Sequence, residues 1–399
     1  MTAATVARDV VFTFSYETYA DAVARGMMRP PDRILQTLMS SDEVGGLLVA
    51  NPFRSLPGVA ARRLSGRRAA ALPPTPQQRL VTPVRLRRAD PVGVPAIVRS
   101  YRRYDRWLRE SASELGLVSP AVVTANPLVA AYCPFAWASA VTYFARDDWL
   151  SYAGRREYWP AYAAAYDQIS EAEIGVAAVS AQIIERIRPR GPHVVVPNAI
   201  DPAEWAGPTP PAPTWLERIP QPRAIYVGTI DDRVDVEGLA VLASARPDLH
   251  IVLLGPAPEI GYVAALGAHP NVHVHPGVGR AEVVAALRNC QLSLLAHRRT
   301  DLTEAMSPLK VYEYLAAGLP VVSVDLPPVH GISERVLFVE STADTARRVD
   351  EALALGSASE SERTAFLAEN SWEARHRAVV DLVLRPPVLH RSEEFAHVV

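Results

Sequence analysis

Short apolar runs alternate along the chain with segments in which apolar residues recur at spacings of three and four. The runs predict buried strands, and the three-and-four spacing predicts helices between them. Strands and helices that alternate in this way are typical of parallel sheets covered by helices, so we expect an α/β fold. In the first half the predicted strands are 10–15, 46–51, 121–126, 140–145, 174–180 and 193–197, and the clearest helices are 32–39, 97–115 and 157–171.

The second half repeats the alternation more regularly and predicts a second doubly wound sheet. A helical tail from Thr342 to Leu384 follows it. This tail is long enough for its last part, residues 371–385, to pack back onto the first half. The predicted strands are 224–229, 250–255, 271–275, 291–296, 320–324 and 335–339, with helices at 236–246, 262–266, 281–289 and 308–317.

A length of 399 residues exceeds what one hydrophobic core usually supports, so we expect two Rossmann-like domains, residues 1–200 and 201–370. The proline-rich stretch 202–222 between them is interpreted as a linker without regular secondary structure. Residues 54–88 contain many arginines and prolines but little periodicity. They predict a long mobile connection or a hairpin-containing excursion that contacts the acceptor or a membrane, with disorder as the alternative.

Composition indicates a protein of the cytoplasm. No apolar run approaches the roughly 18 residues of a membrane helix, and the first residues do not form a signal peptide. The two cysteines, Cys133 and Cys290, are too few for a disulfide framework or a cysteine metal cluster. The histidines begin at His193 without the spacing of a hydrolytic metal site, so we expect no metal. Dispersed arginines without an aromatic-rich basic motif argue against nucleic-acid binding.

Charge is distributed unevenly between the halves, although the whole chain carries a net charge of only -2. Residues 1–200 contain 24 Arg and 17 Asp plus Glu, a balance of +7, and residues 201–399 contain 17 basic and 26 acidic residues, a balance of -9. The basic half is suited to an anionic acceptor or to peripheral contact with the inner face of a membrane. A solvated basic surface is the alternative.

Lys310 is the single lysine among 41 basic residues. It follows Ser307 and Pro308, which predict the start of a helix that ends near Gly318. A cation in the first turn opposes the helix dipole unless an anion binds there, and free amides at a helix start bind phosphate. We therefore predict a phosphate site at Lys310. Glu313, one turn later, is predicted to bind a sugar hydroxyl, or else to form a salt bridge with Lys310.

Four segments of the second half carry a family resemblance: 197–201, 226–233, 254–255 and 307–320. They resemble glycosyltransferase family four, the group 1 type, and within it bacterial cell-surface polysaccharide enzymes of the teichuronic acid type. The first half resembles the family more weakly, mainly through residues 126–127 and 143–149. The resemblance implies the GT-B fold, in which two Rossmann-like domains face each other across a cleft.

The resemblance also implies transfer from a nucleotide diphosphate sugar, with UDP- or GDP-sugar expected, to a hydroxyl of a glycan, a lipid-linked sugar or a small molecule. Retention of configuration, closure of the domains over the acceptor, and no tightly bound cofactor or metal are part of this expectation. In the family, two glutamates contact the donor. In this chain Glu313 occupies the position of the second glutamate. Ala305 occupies the position of the first, and Glu304 is displaced from it by one residue. The expected donor-binding residues are Gly228, Thr229, Arg233, Gly255, Gly277, Ser307, Pro308, Leu309, Lys310 and Glu313.

Within this set, Arg233 and Lys310 are predicted to clamp the diphosphate. Gly228 and Gly255 follow strands where the backbone must approach a ligand closely. Gly277 is predicted either to pass near the base or to serve as a plain turn glycine.

The predicted catalytic residues are Asp148, Glu304 and Lys310. In a front-face retaining reaction the leaving phosphate accepts the acceptor's proton, so no protein base is required. Asp147 and Asp148 are predicted to orient the acceptor hydroxyl, to act as a base if the enzyme inverts, or to cap a helix. The expected acceptor-binding residues are Ser15, Tyr16, Glu17 and Asp147.

Two other functions remain open. A nucleotide-sugar epimerase would need acid and base residues around one enclosed sugar, which the absence of histidine from the first 192 residues argues against. A catalytically weak partner in a polysaccharide assembly is suggested by the displaced Glu304.

Overall fold

The computed structural model describes residues 7–59, 72–73, 75–87 and 89–385. Their contacts divide the chain into two units. The first unit contains the described residues up to Val179, then residues 183–196 and 376–385; the second contains Ser180–Gln182 and Pro197–Arg375. The main boundary therefore follows Val196, slightly before the expected boundary at residue 200.

Seven parallel strands form the main sheet of the first unit. Its central strands are fully buried along their final residues, as parallel strands are when both faces of a sheet are covered. The strands of this unit are β1 (Arg8–Thr13), β2 (Val44–Ala50), β3 (Arg54–Ser55), β4 (Gln78–Val81), β5 (Val84–Arg85), β6 (Ala121–Thr124), β7 (Ala140–Ala145), β8 (Gly175–Ala178) and β9 (His193–Val195). The sheet order is β4-β2-β1-β6-β7-β8-β9.

The helices of the first unit follow the predicted apolar periodicity. The longest, Val94–Glu114, begins with a proline near its N-terminus and buries Ile97, Tyr101, Tyr104 and Leu108, which recur at spacings of three and four. The helices up to the boundary are α1 (Tyr19–Ala24), α2 (Pro30–Ser40), α3 (Val94–Glu114), α4 (Pro127–Tyr132), α5 (Trp159–Glu171) and α6 (Ala181–Ile187), with a 3-10 helix at Ala153–Tyr158.

Residues 54–88 contain more regular structure than we expected. β4 extends the main sheet by pairing in parallel with β2, and β3 pairs in parallel with β5. The prediction of an unstructured connection or a hairpin is therefore wrong for the described part of this segment. Residues 60–71, 74 and 88, on which the same prediction also falls, lie outside the described residues.

The second unit contains a six-stranded parallel sheet. Its strands are β10 (Arg223–Val227), β11 (His250–Leu254), β12 (Val272–His275), β13 (Leu292–Leu295), β14 (Val321–Val324) and β15 (Val336–Val339). Their order in the sheet is β12-β11-β10-β13-β14-β15. From β10 the chain adds β11 and β12 toward one edge of the sheet, and then crosses to the other side of β10 to add β13, β14 and β15. This order is that of a doubly wound Rossmann fold, which confirms the predicted fold class.

The proline-rich stretch 202–222 belongs to the second unit and is not a structureless linker. Pro202 begins a short helix, and Trp205 and Leu216 are fully buried in the core of this unit. The helices after the boundary are α7 (Pro202–Trp205), α8 (Thr214–Glu217), α9 (Val236–Ala245), α10 (Arg280–Arg288), α11 (Asp301–Ala305), α12 (Leu309–Ala316), α13 (Val349–Leu355), α14 (Glu360–Glu369) and α15 (Trp372–Leu384), with 3-10 helices at Ile260–Ala268, Pro327–Val329 and Thr342–Arg348.

The last helix, α15, belongs to the first unit from His376 onward. There the Nδ1 atom of His376 lies 3.0 Å from the Thr37 hydroxyl, and Arg8 donates to the carbonyl of Leu384 at 2.7 Å. Across the described part of the chain, every helix is too short or too polar to span a bilayer.

Candidate functional site

The helix α12 begins one residue later than the sequence predicts. Pro308 occupies the N-cap position, and its carbonyl accepts the N–H of Val311 at 3.0 Å. Ser307 is therefore not the N-cap. Its hydroxyl instead accepts the backbone N–H of Asn198 at 3.0 Å, and its carbonyl accepts from the Asn198 side chain at 2.6 Å. The segment that enters the second unit thus fixes the start of α12.

Lys310 lies in the first turn of α12, and its direct hydrogen-bond contacts are neutral groups. Its Nζ donates to the hydroxyl of Tyr226 at 2.6 Å and lies 3.1 Å from Nε2 of His297. The ammonium also lies 4.1 Å from the centroid of the Tyr226 ring. Within the described ranges, no carboxylate forms an ion pair with Lys310. Among the residues that the structure describes, the cation therefore has no ion-pair partner.

His297 is a site residue that the sequence analysis missed. It is 1% exposed, and its Nδ1 atom has no hydrogen-bond partner among the residues the structure describes. Burial and the positive charge of Lys310 lower the pKa of His297 well below its usual value. The imidazole is therefore neutral and contributes no charge to compensate or repel Lys310.

The electrostatic environment of Lys310 favours an anionic ligand. Burial and, to a smaller extent, the positive charge of Arg233 lower the pKa of Lys310 to about 7, against the opposing effects of Asp231 and Glu313. A nearby phosphate would reverse this shift, because an opposite charge stabilises the protonated amine.

Arg233, the other predicted arm of the diphosphate clamp, is held by Asp231. Its Nε and Nη2 atoms donate to the two carboxylate oxygens at 2.9 and 2.6 Å. Burial raises the pKa of Asp231, but the bonds from Arg233 outweigh this effect and lower it overall. Asp231 therefore neutralises part of the charge of Arg233, which leaves Lys310 as the less compensated cation of the two.

Two glycine turns adjoin Lys310 at the carboxyl ends of neighbouring strands. Gly228 follows β10 with φ +134°, and Gly255 follows β11 with φ +153°. A Cβ atom on Gly255 would lie 2.1 Å from the Gly228 carbonyl oxygen, and one on Gly228 would lie 3.1 Å from Lys310 Nζ. Both positions therefore require glycine, and ligands of doubly wound sheets bind at this edge.

We predict that Gly228→Ala lowers the free energy of unfolding by about 1–3 kcal/mol, because alanine is strained at this φ. Nucleotide-sugar affinity should also fall several-fold, because the new methyl group crowds Lys310. Urea denaturation and ligand titration measure the two effects. The matched control is Gly261→Ala, where an added Cβ meets nothing within 4 Å. Equal behaviour of the two variants would contradict the prediction.

Glu313 pairs with Arg280 and not with Lys310, so the alternative of a salt bridge within α12 is wrong. The Nη1 atom of Arg280 donates to Glu313 at 2.5 Å, and the same guanidinium donates to Glu204 at 2.7 and 2.9 Å. Burial raises the pKa of Glu313, whereas Arg280 opposes the shift. Arg280 and Glu204 are further site residues that the sequence analysis missed.

The other predicted donor-binding residues have varied surroundings. The carbonyl of Thr229 accepts the Tyr226 hydroxyl at 3.2 Å, and a Cβ on Gly277 would lie 3.3 Å from Pro256. Pro308 is buried, and Leu309 is the first residue of α12. Glu304 lies on α11 and pairs with Arg299 at 3.3 Å, so the contacts of its side chain do not join it to Lys310.

In the first unit, Ser15 and Tyr16 line one cavity together. The Ser15 carbonyl accepts the Asn126 side chain at 3.1 Å, and the Tyr16 hydroxyl lies 2.7 Å from that of Tyr162. Glu17 pairs with three arginines: Arg146 at 3.1 Å, Arg25 at 3.3 Å, and Arg29.

The two predicted aspartates of the first unit differ in burial. Asp147 is exposed on its side chain and pairs with Arg146 at 2.9 Å. Asp148 is buried; it pairs with Arg186 at 3.1 Å and accepts the N–H of Leu150 at 3.2 Å. This local bond closes a turn and does not cap a helix, contrary to one of the alternatives considered for Asp148.

Comparison with known proteins supports a glycosyltransferase fold and family. Residues 221–354 match the family described as Glycosyl transferases group 1. A curated relative, TuaH of Bacillus subtilis (strain 168), is provisionally named a teichuronic acid biosynthesis glycosyltransferase. It is 29% identical over 104 residues, and the match spans 26% of this chain and only 26% of that protein.

Solved structures with the same fold match almost the whole chain. Sucrose-phosphate synthase from Thermosynechococcus elongatus has a TM-score of 0.63 at 13% identity and covers 94% of this chain and 98% of its own. An E. coli trehalose-6-phosphate protein bound with UDP-2-fluoro glucose has a TM-score of 0.62 at 12% identity, with 94% and 99% covered. HepE from Anabaena, in complex with UDP and glucose, has a TM-score of 0.54 at 13% identity, with 93% and 95% covered.

The doubly wound sheets and these structural neighbours agree with the fold expected from the sequence, and the family match lies in the unit that carries Lys310. Residues 221–354 therefore match the group 1 glycosyltransferases, and the chain has the GT-B fold.

Proposed function

We propose that the chain transfers a sugar from a nucleotide diphosphate sugar to an acceptor hydroxyl, with the donor bound by the second unit. The observation that carries the proposal is the position of Lys310. Its ammonium lies at the start of α12, beside the turns at Gly228 and Gly255, and its hydrogen-bond contacts among the described residues are a phenol and a neutral imidazole. A diphosphate at this place would supply the missing negative charge.

The proposed donor site uses the helix start and the lysine together. Backbone amides of the first turn of α12 and the positive end of its dipole favour the diphosphate, and Lys310 adds a point charge. Negative charge grows on the diphosphate as the bond to the sugar breaks, so these groups stabilise the transition state more than the bound donor. Arg233 stays in the proposal as a second cation, with its charge shared with Asp231.

Transfer with retention accounts for the reaction without a protein base. The bond between the sugar carbon and the diphosphate oxygen breaks, and a bond to the acceptor oxygen forms on the same face. The acceptor's proton passes to the leaving phosphate oxygen. Asp148 is not needed for this step, and its burial and pairing with Arg186 are better suited to holding the turn after β7.

The donor class is proposed from the bound structural neighbours. Two of them were solved with UDP or a UDP-sugar, so a UDP-sugar is the first expectation here. We expect Glu313, one turn beyond Lys310 and paired with Arg280, to accept hydroxyl groups of the nucleotide sugar. The similarity to TuaH makes surface-polysaccharide synthesis the proposed setting.

The test is a panel of UDP-, GDP-, CDP- and TDP-sugars, with melting temperature and slow hydrolysis as readouts. One nucleotide class should stabilise the chain, by about 2.7 kcal/mol at a concentration of 100 times its Kd. Slow release of nucleotide and free sugar supports a transferase. Reversible interconversion of sugars would show an epimerase. Binding without turnover, even with acceptors present, would show a catalytically weak partner. Either result would contradict the proposal.

A further inference from the structure

The first unit contains a cavity of about 330 Å³ at the carboxyl edge of its main sheet. Its lining includes residues within three positions of the ends of three strands: Phe14, Ser15 and Tyr16 after β1, Phe53 after β2, and Asn126 after β6. The size lies within the range of about 300–1,000 Å³ that is usual for small-molecule sites.

The position of the cavity in the sheet favours ligand binding. β1 pairs with β2 on one side and with β6 on the other, so the strand order reverses at β1. Ligands of open parallel sheets bind outside the carboxyl ends of strands at such a reversal. The cavity therefore lies where the fold of the first unit itself predicts a site.

Aromatic rings form much of the cavity wall. They are fixed by contacts with each other and by hydrogen bonds from their hydroxyl groups: Tyr104 donates to the Asn51 carbonyl at 3.0 Å and Tyr158 to the Asp90 carbonyl at 3.0 Å. Rigid aromatic walls with a few polar groups are suited to a ring-shaped, partly apolar ligand such as a sugar. The aromatic members of the lining are Phe14, Tyr16, Phe53, Tyr101, Tyr104 and Tyr158.

The charged groups of the lining are mainly positive. Three arginines, Arg54, Arg85 and Arg155, line the cavity with a single carboxylate, that of Asp90. Asp90 pairs with Arg85 at 2.5 Å, and Arg54 pairs with Asp21 at 3.2 Å. Both of these arginines thus have carboxylate partners.

Arg155 differs from the other two arginines. No carboxylate in the described part of the chain pairs with it. Its guanidinium carbon instead lies 4.2 Å from the centroid of the Tyr16 ring and 5.7 Å from that of Tyr158. Stacking on aromatic rings holds the guanidinium at the cavity while leaving its N–H groups able to donate to an anion.

We propose that this cavity binds the acceptor and that the acceptor is a sugar bearing an anionic group, a phosphate or a carboxylate, which Arg155 contacts. The inference rests on the proposed transferase function and names its acceptor class. The aromatic walls hold the sugar ring, and the surplus of positive charge selects the anionic form over the neutral one.

The experiment measures binding of glucose 6-phosphate, glucuronate, glucose and inorganic phosphate to the full chain by calorimetry. At least one anionic sugar should bind about 10- to 100-fold more tightly than glucose, as a charge-assisted hydrogen bond allows. It should also bind more tightly than phosphate alone, because phosphate lacks the ring. The two anionic sugars distinguish a phosphate-bearing from a carboxylate-bearing acceptor.

The variant Arg155→Met should remove the preference for the anionic sugar while weak glucose binding remains. The control is Arg156→Met, in the same 3-10 helix; Arg156 is exposed and stacks on Trp159, outside the cavity. Equal binding of glucose and both anionic sugars would overturn the inference, as would equal effects of the two variants.

Donor hydrolysis, measured in the same variants, separates the two proposals. If UDP-sugar hydrolysis persists while no anionic sugar is preferred, the acceptor class is wrong and the transferase function stands. If no nucleotide sugar binds or is hydrolysed, the proposed function itself fails.

Discussion

Lys310→Met should reduce kcat/KM for the donor sugar by about 10²- to 10³-fold, the usual effect of removing one group that stabilises charge in a transition state. Methionine keeps an unbranched apolar stem beside the Tyr226 ring but removes the ammonium. The loss should appear in donor affinity as well as in turnover, because the diphosphate is present before and after the bond breaks. Steady-state kinetics and calorimetric titration with the nucleotide sugar measure both.

The same variant should fold at least as stably as the natural chain. Burial lowers the pKa of Lys310, which means that the folded protein disfavours its protonated form. Replacing it with a neutral side chain removes that cost, so the melting temperature should stay constant or rise. The charge control is Arg347→Met, which removes a mostly exposed cation from the same unit. Unchanged donor kinetics in Lys310→Met would contradict the proposed donor site.

The strands of both sheets could be predicted from sequence because buried parallel strands appear as continuous apolar runs. The run Ala224–Thr229 predicts β10 (Arg223–Val227) almost completely. β4 could not be found in this way, because its residues Gln78 and Arg79 are polar and only Val81 is buried at this edge of the sheet. The short helix at Pro202 depends on burial of Trp205 by residues distant in sequence, so its prolines suggested only a linker.

The start of α12 could be predicted to within one residue because helix capping is a local feature of the sequence, and the anion site proposed there follows from equally local features, the helix dipole and a single lysine. The partners of Lys310 could not be predicted from the sequence. Tyr226 and His297 reach it only through the tertiary fold, from the ends of two different strands. The partner of Glu313 could not be predicted either, because Arg280 lies on another helix, α10. This pair replaces the Lys310–Glu313 bridge that local spacing offered as an alternative.

The pH dependence of donor binding follows from the groups around Lys310. Above pH 7 the unliganded lysine loses its proton, because its pKa is about 7. His297 is neutral throughout this range, since its pKa is lowered, and burial raises the pKa of Tyr226 so that the phenol stays protonated. Asp231 stays ionised, because its pKa is lowered, and Arg233 keeps its charge. Lys310 is therefore the group of this cluster whose charge changes between pH 7 and 9.

Donor affinity should fall with rising pH above 7, approaching about tenfold per pH unit, because the diphosphate binds the protonated lysine and must restore its proton. Stability of the unliganded chain should change in the opposite direction. Between pH 7 and the ordinary lysine pKa of about 10.4, the unfolded chain holds a proton that the folded chain has lost, so this group makes stability rise with pH.

Calorimetric titrations of the nucleotide sugar at pH 7, 8 and 9, in buffers with different heats of ionisation, give both the affinity and the number of protons taken up. Uptake should approach one proton per donor at pH 9 and fall toward one half near pH 7, where the unliganded lysine is half protonated. Lys310→Met should bind weakly with no pH slope, since the remaining groups keep their charge across this range. A flat affinity in the natural chain, or the same slope in the variant, would show that the diphosphate does not bind at Lys310.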